Sequence, residues 1–157
     1  MIGLGTAARV AAMTVVLGFG LAATAEAQQK WKAQGLYGPN TVVHKEFIKF
    51  TERVKAATKG ALEIEALPVA TIVPQAEALD AIKAGLLDAA AGTMAYQGGK
   101  EPAAAFWDLA GGYDNPLHLM MWYRHGGGHE IMNKIAAKWD AVFLGPIILG
   151  LESIPSK

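Results

Sequence analysis

Between residues 31 and 91 the apolar pattern changes period four times, and this switching restricts the possible folds more than any other feature of the chain. Trp31, Ala33, Gly35 and Tyr37 alternate with Lys32 and Gln34, interrupted by Leu36, as a short strand does. Gly38-Pro39-Asn40 ends that run. Over 41–59, Val43, Phe47, Phe50 and Val54 recur at spacings of four, three and four, which places them on one helical face while Lys45, Glu46, Lys49 and Glu52 point elsewhere. Asn40 or Thr41 can cap its start, and Gly60 its end. Over 61–67 the alternation returns, with Leu62, Ile64 and Ala66 on one face and Glu63 and Glu65 on the other. A strand with one wet face belongs at a sheet edge.

Pro68 and Pro74 bracket a loop before a second helix, expected to bury Ala76, Leu79 and Ile82 and to stop at Gly85. Residues 87–91 read as a third, interior strand. This order of three strands joined by two helical crossovers calls for parallel strands with helices packed on the sheet, an α/β fold. Beyond Lys100 the texture changes to short, aromatic-rich helical pieces at 102–109, 116–124 and 129–138, each with a Pro or Gly start signal. Phe106, Trp107, Trp122 and Tyr123, with Met120 and Met121, fall at helical spacing and read as core. Two apolar runs follow at 142–144 and 147–151, split by Gly145-Pro146. The last run has no helix or polar tail behind it, so a shortened polypeptide is expected.

The first 27 residues place Arg9 ahead of an apolar run over 10–25, closed by Ala25-Glu26-Ala27. This is the layout of a secretory signal peptide cleaved near Ala27, and the run is shorter than the ~20 residues a spanning helix needs. A dinucleotide-like Gly3-Leu4-Gly5-Thr6-Ala7-Ala8 lies inside it, but no strand precedes those glycines to feed a phosphate-holding turn. With 14 basic and 14 acidic residues the chain carries no net charge, which excludes the electrostatic footprint of a nucleic-acid binder. It has no cysteine, so disulfides, thiolate nucleophiles and Cys-based zinc sites are excluded.

The motifs that suggest chemistry dissolve on inspection. His129-Glu130 opens like a helical zinc-protease motif, but Asn133 stands where the second His belongs. His125 and His129 are separated by three glycines, which disfavour the helix that would aim both rings at one metal. Those glycines lack the Lys-Ser/Thr pair of a phosphate loop and read as a helix-helix hinge. His44 and His118 are assigned surface or hydrogen-bonding roles. Glu63 and Glu65 share a strand face but read as solvated edge residues rather than an acid-base pair. No Gly-x-Ser-x-Gly elbow occurs.

In an open α/β sheet the loops after the strands converge at one edge, where ligands bind. The candidates there are Tyr96 after the third strand, Asn40 and Thr41 after the first, and Gln75 after the second. Two segments carry a family likeness: Ala78-Leu79-Asp80-Ala81-Ile82-Lys83-Ala84-Gly85-Leu86-Leu87-Asp88, and Tyr96-Gln97-Gly98-Gly99-Lys100-Glu101-Pro102-Ala103-Ala104-Ala105-Phe106. With Trp122-Tyr123-Arg124-His125-Gly126-Gly127-Gly128, they make the chain resemble the solute-binding receptors (DctP family) of tripartite ATP-independent periplasmic (TRAP) transporters, most of all the branch that binds 2-oxo acids and related carboxylates.

The resemblance implies a class II periplasmic-binding-protein-like lobe with a mostly parallel sheet flanked by helices, its second lobe missing. Residues 1–27 would be the signal peptide, 28–145 the first lobe and 146–157 the start of the crossover. It implies a periplasmic receptor, not an enzyme, that needs no cofactor for catalysis, captures a small carboxylate and delivers it to membrane permease subunits. Its full-length form would be a homodimer, as in some relatives. The anchoring Arg of such receptors would fall beyond Lys157, and Glu152 would lie near the crossover position that contacts substrate. An ionised Glu repels an anion unless a cation intervenes, so a Na or Ca ion bridging the carboxylate is implied with it. The competing reading is an exported hydrolase or lyase using Glu152 as base, with its other catalytic groups in the missing half; a third is a purely structural periplasmic domain.

Overall fold

A computed structural model describes residues 28–106, 113 and 115–147. The expected signal peptide, the expected strand over 147–151 beyond its first residue, and Glu152 lie outside the described residues. Among the described residues three strands form the sheet: β1 (Gln29–Gly35), β2 (Leu62–Leu67) and β3 (Ala89–Ala91), in the order β2-β1-β3. Both pairings are parallel, with Gln29 opposite Leu62 through Gln34 opposite Leu67 on one side, and Ala33 opposite Ala89 through Gly35 opposite Ala91 on the other. Only the C-terminal half of β1 is therefore flanked on both sides, and Ala33, Gln34 and Gly35 are its buried residues. The wet strand β2 takes an edge, as its alternation required.

The third strand departs from expectation: among the described residues β3 lies at the other edge and β1 is interior. The apolar signal that suggested an interior strand came largely from Leu87, which is fully buried but precedes the strand. Between them stands Asp88, whose carboxylate accepts the Lys32 N–H at 2.7 Å while its own N–H donates to the Lys32 carbonyl at 3.0 Å. This reciprocal pair seats β3 against β1 in register.

Helix α1 (Val42–Ala57) is capped by Thr41 rather than Asn40: the Thr41 hydroxyl accepts the His44 N–H at 3.2 Å and donates to the Gly38 carbonyl at 2.8 Å. The helix packs on β2, and the face it buries is rotated from the expected one. His44 and Thr51 are buried, while Phe50 is half exposed and stacks beside Phe47. His44, expected in a surface or hydrogen-bonding role, is buried, and its Nδ1 has no partner among the described residues. The Phe47 and His44 rings settle over Gly35, 3.5 and 3.7 Å from where a Cβ on it would stand, which are ordinary contact distances. Thr51 tolerates burial because its hydroxyl donates to the Ile48 carbonyl of its own helix at 2.8 Å.

The second crossover begins with a 3-10 turn, Gln75–Glu77, before helix α2 (Ala78–Lys83). The tighter winding of that turn shifts the phase, so Ala78 and Ala81 are fully buried; of the expected stripe Leu79 is partly buried against the core, Ile82 is half-buried and Ala76 is exposed. Beyond β3 come 3-10 turns at Met94–Gln97 and Pro102–Phe106, then α3 (Pro116–His125) and α4 (Gly128–Ala136), and a last 3-10 turn at Ala137–Trp139. Asn115 caps α3 by accepting the His118 N–H at 3.0 Å, and Pro116 occupies the first turn.

These pieces share a core of Met94, Ala104, Tyr123, Met132, Ile135, Ala136, Trp139 and Phe143. The expected aromatic core holds at Tyr123 and partly at Trp122, but Phe106 and Met121 are exposed; Trp107 lies outside the described residues. The run at 142–144 has no regular structure: Phe143 turns inward, its N–H donating to Asn133 Oδ1 at 2.9 Å, between exposed Val142 and Leu144. The three glycines do join two helices, and the Trp122 indole shows why. A Cβ on Gly128 would lie 2.6–2.8 Å from three of its ring carbons, and Gly127 turns the chain at φ +84°.

Candidate ligand-binding site

Because the strands are parallel, their C-terminal ends open onto one edge, with the connections after β1, β2 and β3 side by side. The chain order reverses between β1 and β3, the place where open α/β sheets leave a crevice. Leu36 and Gly92 flank it, and the Leu36 N–H donates to the Ala91 carbonyl at 2.8 Å. The Gln75 side chain reaches into this opening. Its Nε2 lies closer to the place of a Cβ on residue 92 than a real side chain would allow, so any residue larger than glycine there would push the carboxamide aside. Gln75 Oε1 is out of contact with water and has no hydrogen-bond partner among the described residues.

Two further carboxamides hold the backbone around Gln75. Gln34 is 0% exposed, and its Oε1 accepts the N–H groups of Ile72 at 2.8 Å and Val73 at 3.3 Å while its Nε2 donates to the Val73 carbonyl at 2.8 Å. Successive strand residues face opposite sides, so Gly35 meets α1 and Gln34 meets the connection to α2. Gln97, also buried, donates from Nε2 to the Ala76 carbonyl at 2.6 Å, leaving its Oε1 unpartnered among the described residues. The connection after β2 is tied to the one after β1 by the Val69 N–H, which donates to the Tyr37 carbonyl at 3.1 Å. On the opposite side of the sheet, His44 Nδ1 is buried without a described partner.

The residues expected at this edge separate into groups. Gln75 enters the crevice, Tyr96 stands exposed on the 3-10 turn after β3, and Asn40 is exposed after β1. Thr41 is at the same edge but its hydroxyl is committed to capping α1. Gln34, Gln97 and His44 were missed. The one signal for Gln34 was a polar residue between Ala33 and Gly35 in a strand that ends up covered on both faces.

Elsewhere the electrostatics are structural. The Lys55 ammonium, 2.6 Å from Glu63, holds that carboxyl below its ordinary value, so Glu63 is an ion-pair partner and not an acid-base group. Asp80 is likewise held low, first by its hydrogen bond from Lys100, and it also accepts the Trp139 indole N–H at 3.1 Å. Glu101 pairs with Lys138. Among the described residues no group of three or more His, Asp or Glu side chains is placed to hold a metal ion. An open groove of about 640 Å³ runs past Tyr123, Arg124, His125, His129, Glu130 and Pro146, but its charged side chains are all exposed. The crevice, with the unpartnered Gln75 Oε1 beside it, is the stronger candidate.

Residues 34–145 match the family model of bacterial extracellular solute-binding protein, family 7 (DctP). The chain is similar to the apo, open structure of a TRAP periplasmic solute-binding protein from Rhodobacter sphaeroides, at 30% identity and TM-score 0.70, over 74% of this chain and 38% of that one. It is also similar to a TRAP transporter solute-binding protein from Bordetella bronchiseptica RB50, at 25% identity and TM-score 0.66, over 74% of this chain and 35% of the other; that structure is a mixed-occupancy dimer with copurified calcium and picolinate. A third protein, from Colwellia psychrerythraea with bound calcium and pyruvate, shares the fold at 22% identity and TM-score 0.61, over 71% of this chain and 34% of its own. The chain thus spans under two-fifths of the length of these proteins, all of them solute-binding proteins. The family match covers the sheet from the buried end of β1, both crossovers and the helices beyond them, and the chain belongs to family 7 of the bacterial extracellular solute-binding proteins.

Proposed function

We propose that this chain is the first lobe of an exported TRAP receptor that captures a small carboxylate, with a 2-oxo acid as the leading candidate, and delivers it to a membrane permease. The observation that carries the reading is the crevice between the ends of β1 and β3, entered by the Gln75 carboxamide, whose Nε2 is a hydrogen-bond donor, in a chain of this family. In this reading residues 1–27 direct export and are cleaved near Ala27, 28–145 form the lobe, and 146–157 begin the crossover to a second lobe. Gln75, Tyr96 and Asn40 face the solute, Thr41 holds the loop that carries Asn40, and Glu152 contacts solute or a bridging Na or Ca ion. Picolinate and calcium together in the Bordetella relative support a carboxylate taken with a cation, and the dimer of that relative supports a homodimer.

A cleft between two lobes cannot form from one. Calorimetric titration of pyruvate into the 157-residue chain should therefore show no micromolar binding, whereas the chain joined to the second lobe of the Rhodobacter relative should bind a small carboxylate. Micromolar binding by the 157-residue chain alone would sink the two-lobe arrangement. Failure of the joined protein to bind any carboxylate would sink the choice of ligand class.

A further inference from the structure

Asn133, which stands where a metal motif would need a second His, binds His129 one turn earlier in α4. Asn133 Oδ1 accepts the Phe143 N–H at 2.9 Å, while Nδ2 donates to the His129 carbonyl at 3.0 Å and lies 3.1 Å from His129 Nδ1. A backbone N–H can only donate and a backbone carbonyl can only accept, so these two partners fix which end of the carboxamide is which. Nδ2 therefore faces the imidazole as a donor, Nδ1 meets it with a lone pair, and the ring proton sits on Nε2. Both Nδ2 hydrogens are committed to His129.

The segment held by this carboxamide, 141–147, has no regular structure. Its buried residue is Phe143, whose ring centroid lies 5.4 Å from that of Tyr123 and 5.3 Å from that of His129; exposed Leu144 and Gly145 follow. His129 is exposed and lines the open groove beside Gly145 and Pro146, so protons reach its ring from solvent. The ionisable side chains around that groove are Tyr123, Arg124 and His125 of α3 and Glu130 of α4, while 141–147 carries none. Arg124 and His125 oppose a charge on His129 and Glu130 favours it, but all three are exposed and screened. The direct contact at 3.1 Å outweighs them. We infer that His129 and Asn133 form an acid-sensitive latch on this segment: a proton taken from solvent onto Nδ1 sets an N–H against the Asn133 NH2, turns the carboxamide and releases the Phe143 N–H. An imidazole changes charge between about pH 5 and 8, so the latch is closed at the upper end of that window and open at the lower. In the receptor reading the chain leaves the first lobe here, and acid loosens its exit; only that consequence depends on the reading.

The test uses the 157-residue chain without solute, so its outcome is separate from that of the carboxylate titration. Long-range proton-nitrogen NMR spectra at about pH 8 should show the His129 ring as the Nε2–H tautomer. Between about pH 8 and pH 5 the protection of the Phe143 amide, corrected for the intrinsic pH dependence of exchange, should fall about fivefold, the equivalent of one ordinary hydrogen bond. The Leu36 amide, bonded to the Ala91 carbonyl, should keep its protection. His129→Gln should remove the fall, and His125→Gln should preserve it. An Nδ1–H tautomer overturns the latch, and this arm is read on the unsubstituted chain, so it stands even where a variant misfolds. A fall that survives in His129→Gln, or disappears in His125→Gln, assigns the response to another group and overturns it as well. Constant protection does the same, as does a rise in acid, the result if attraction of the charged ring for the Phe143 face governs.

Discussion

Replacing Gln34 by Leu tests whether one buried side chain fixes the loop that presents Gln75. The substitution keeps the volume of the buried site but removes three hydrogen bonds, from Ile72 N–H, from Val73 N–H and to the Val73 carbonyl. Each is worth about 1 kcal/mol net, or about 3 kcal/mol together. Leucine returns part of this, because it buries more apolar surface than glutamine, on the order of 1–2 kcal/mol. The expected net loss is about 1–2 kcal/mol, or a fall of roughly 0.5–1 M in the urea midpoint. The local effect is the sharper readout. Amide exchange at Ile72 should rise to the rate of an open loop, since its only described acceptor is gone, while amides within β2 keep their protection. An unchanged midpoint with unchanged protection at Ile72 would refute the claim that Gln34 holds this loop, and with it the account of how Gln75 is placed.

Two further perturbations probe the scaffold. Gly128→Ala should destabilise by about 1–3 kcal/mol through overlap with the Trp122 indole, despite the higher helix propensity of alanine, and the penalty should shrink in a Trp122→Ala background; additive effects in the double-mutant cycle would count against the contact. Because Lys100 holds the Asp80 carboxyl below its ordinary value, the ion pair contributes stability above the unfolded carboxyl's pKa and loses it as pH falls through the lowered folded value. Wild type should therefore exceed Asp80→Asn by under about 1 kcal/mol in neutral buffer, the pair being half exposed, and the gap should close in acid; a gap that widens in acid contradicts this assignment.

The alternation of residues 31–37 and 61–67 around a helical period was enough to establish a parallel βαβαβ sheet, because amphipathic period is a property of each segment alone. The wet face of β2 told its place at an edge for the same reason, and Thr41, among two candidates, needed only its own first turn to act as a cap. Period does not report what each face meets. Which face of α1 is buried, with His44 and Thr51 on it, depended on how the helix packs against β2, and the seating of β3 against β1 on Asp88 locking to Lys32. The site was legible only as an edge with four named loop residues. That Gln75 enters the crevice depends on Gly92 leaving room for it and on Gln34 holding Val73, which is 39 residues further along the chain. Local pattern settled which elements form; contacts between distant segments decided which side chains those elements bury, and so which of them a ligand can reach.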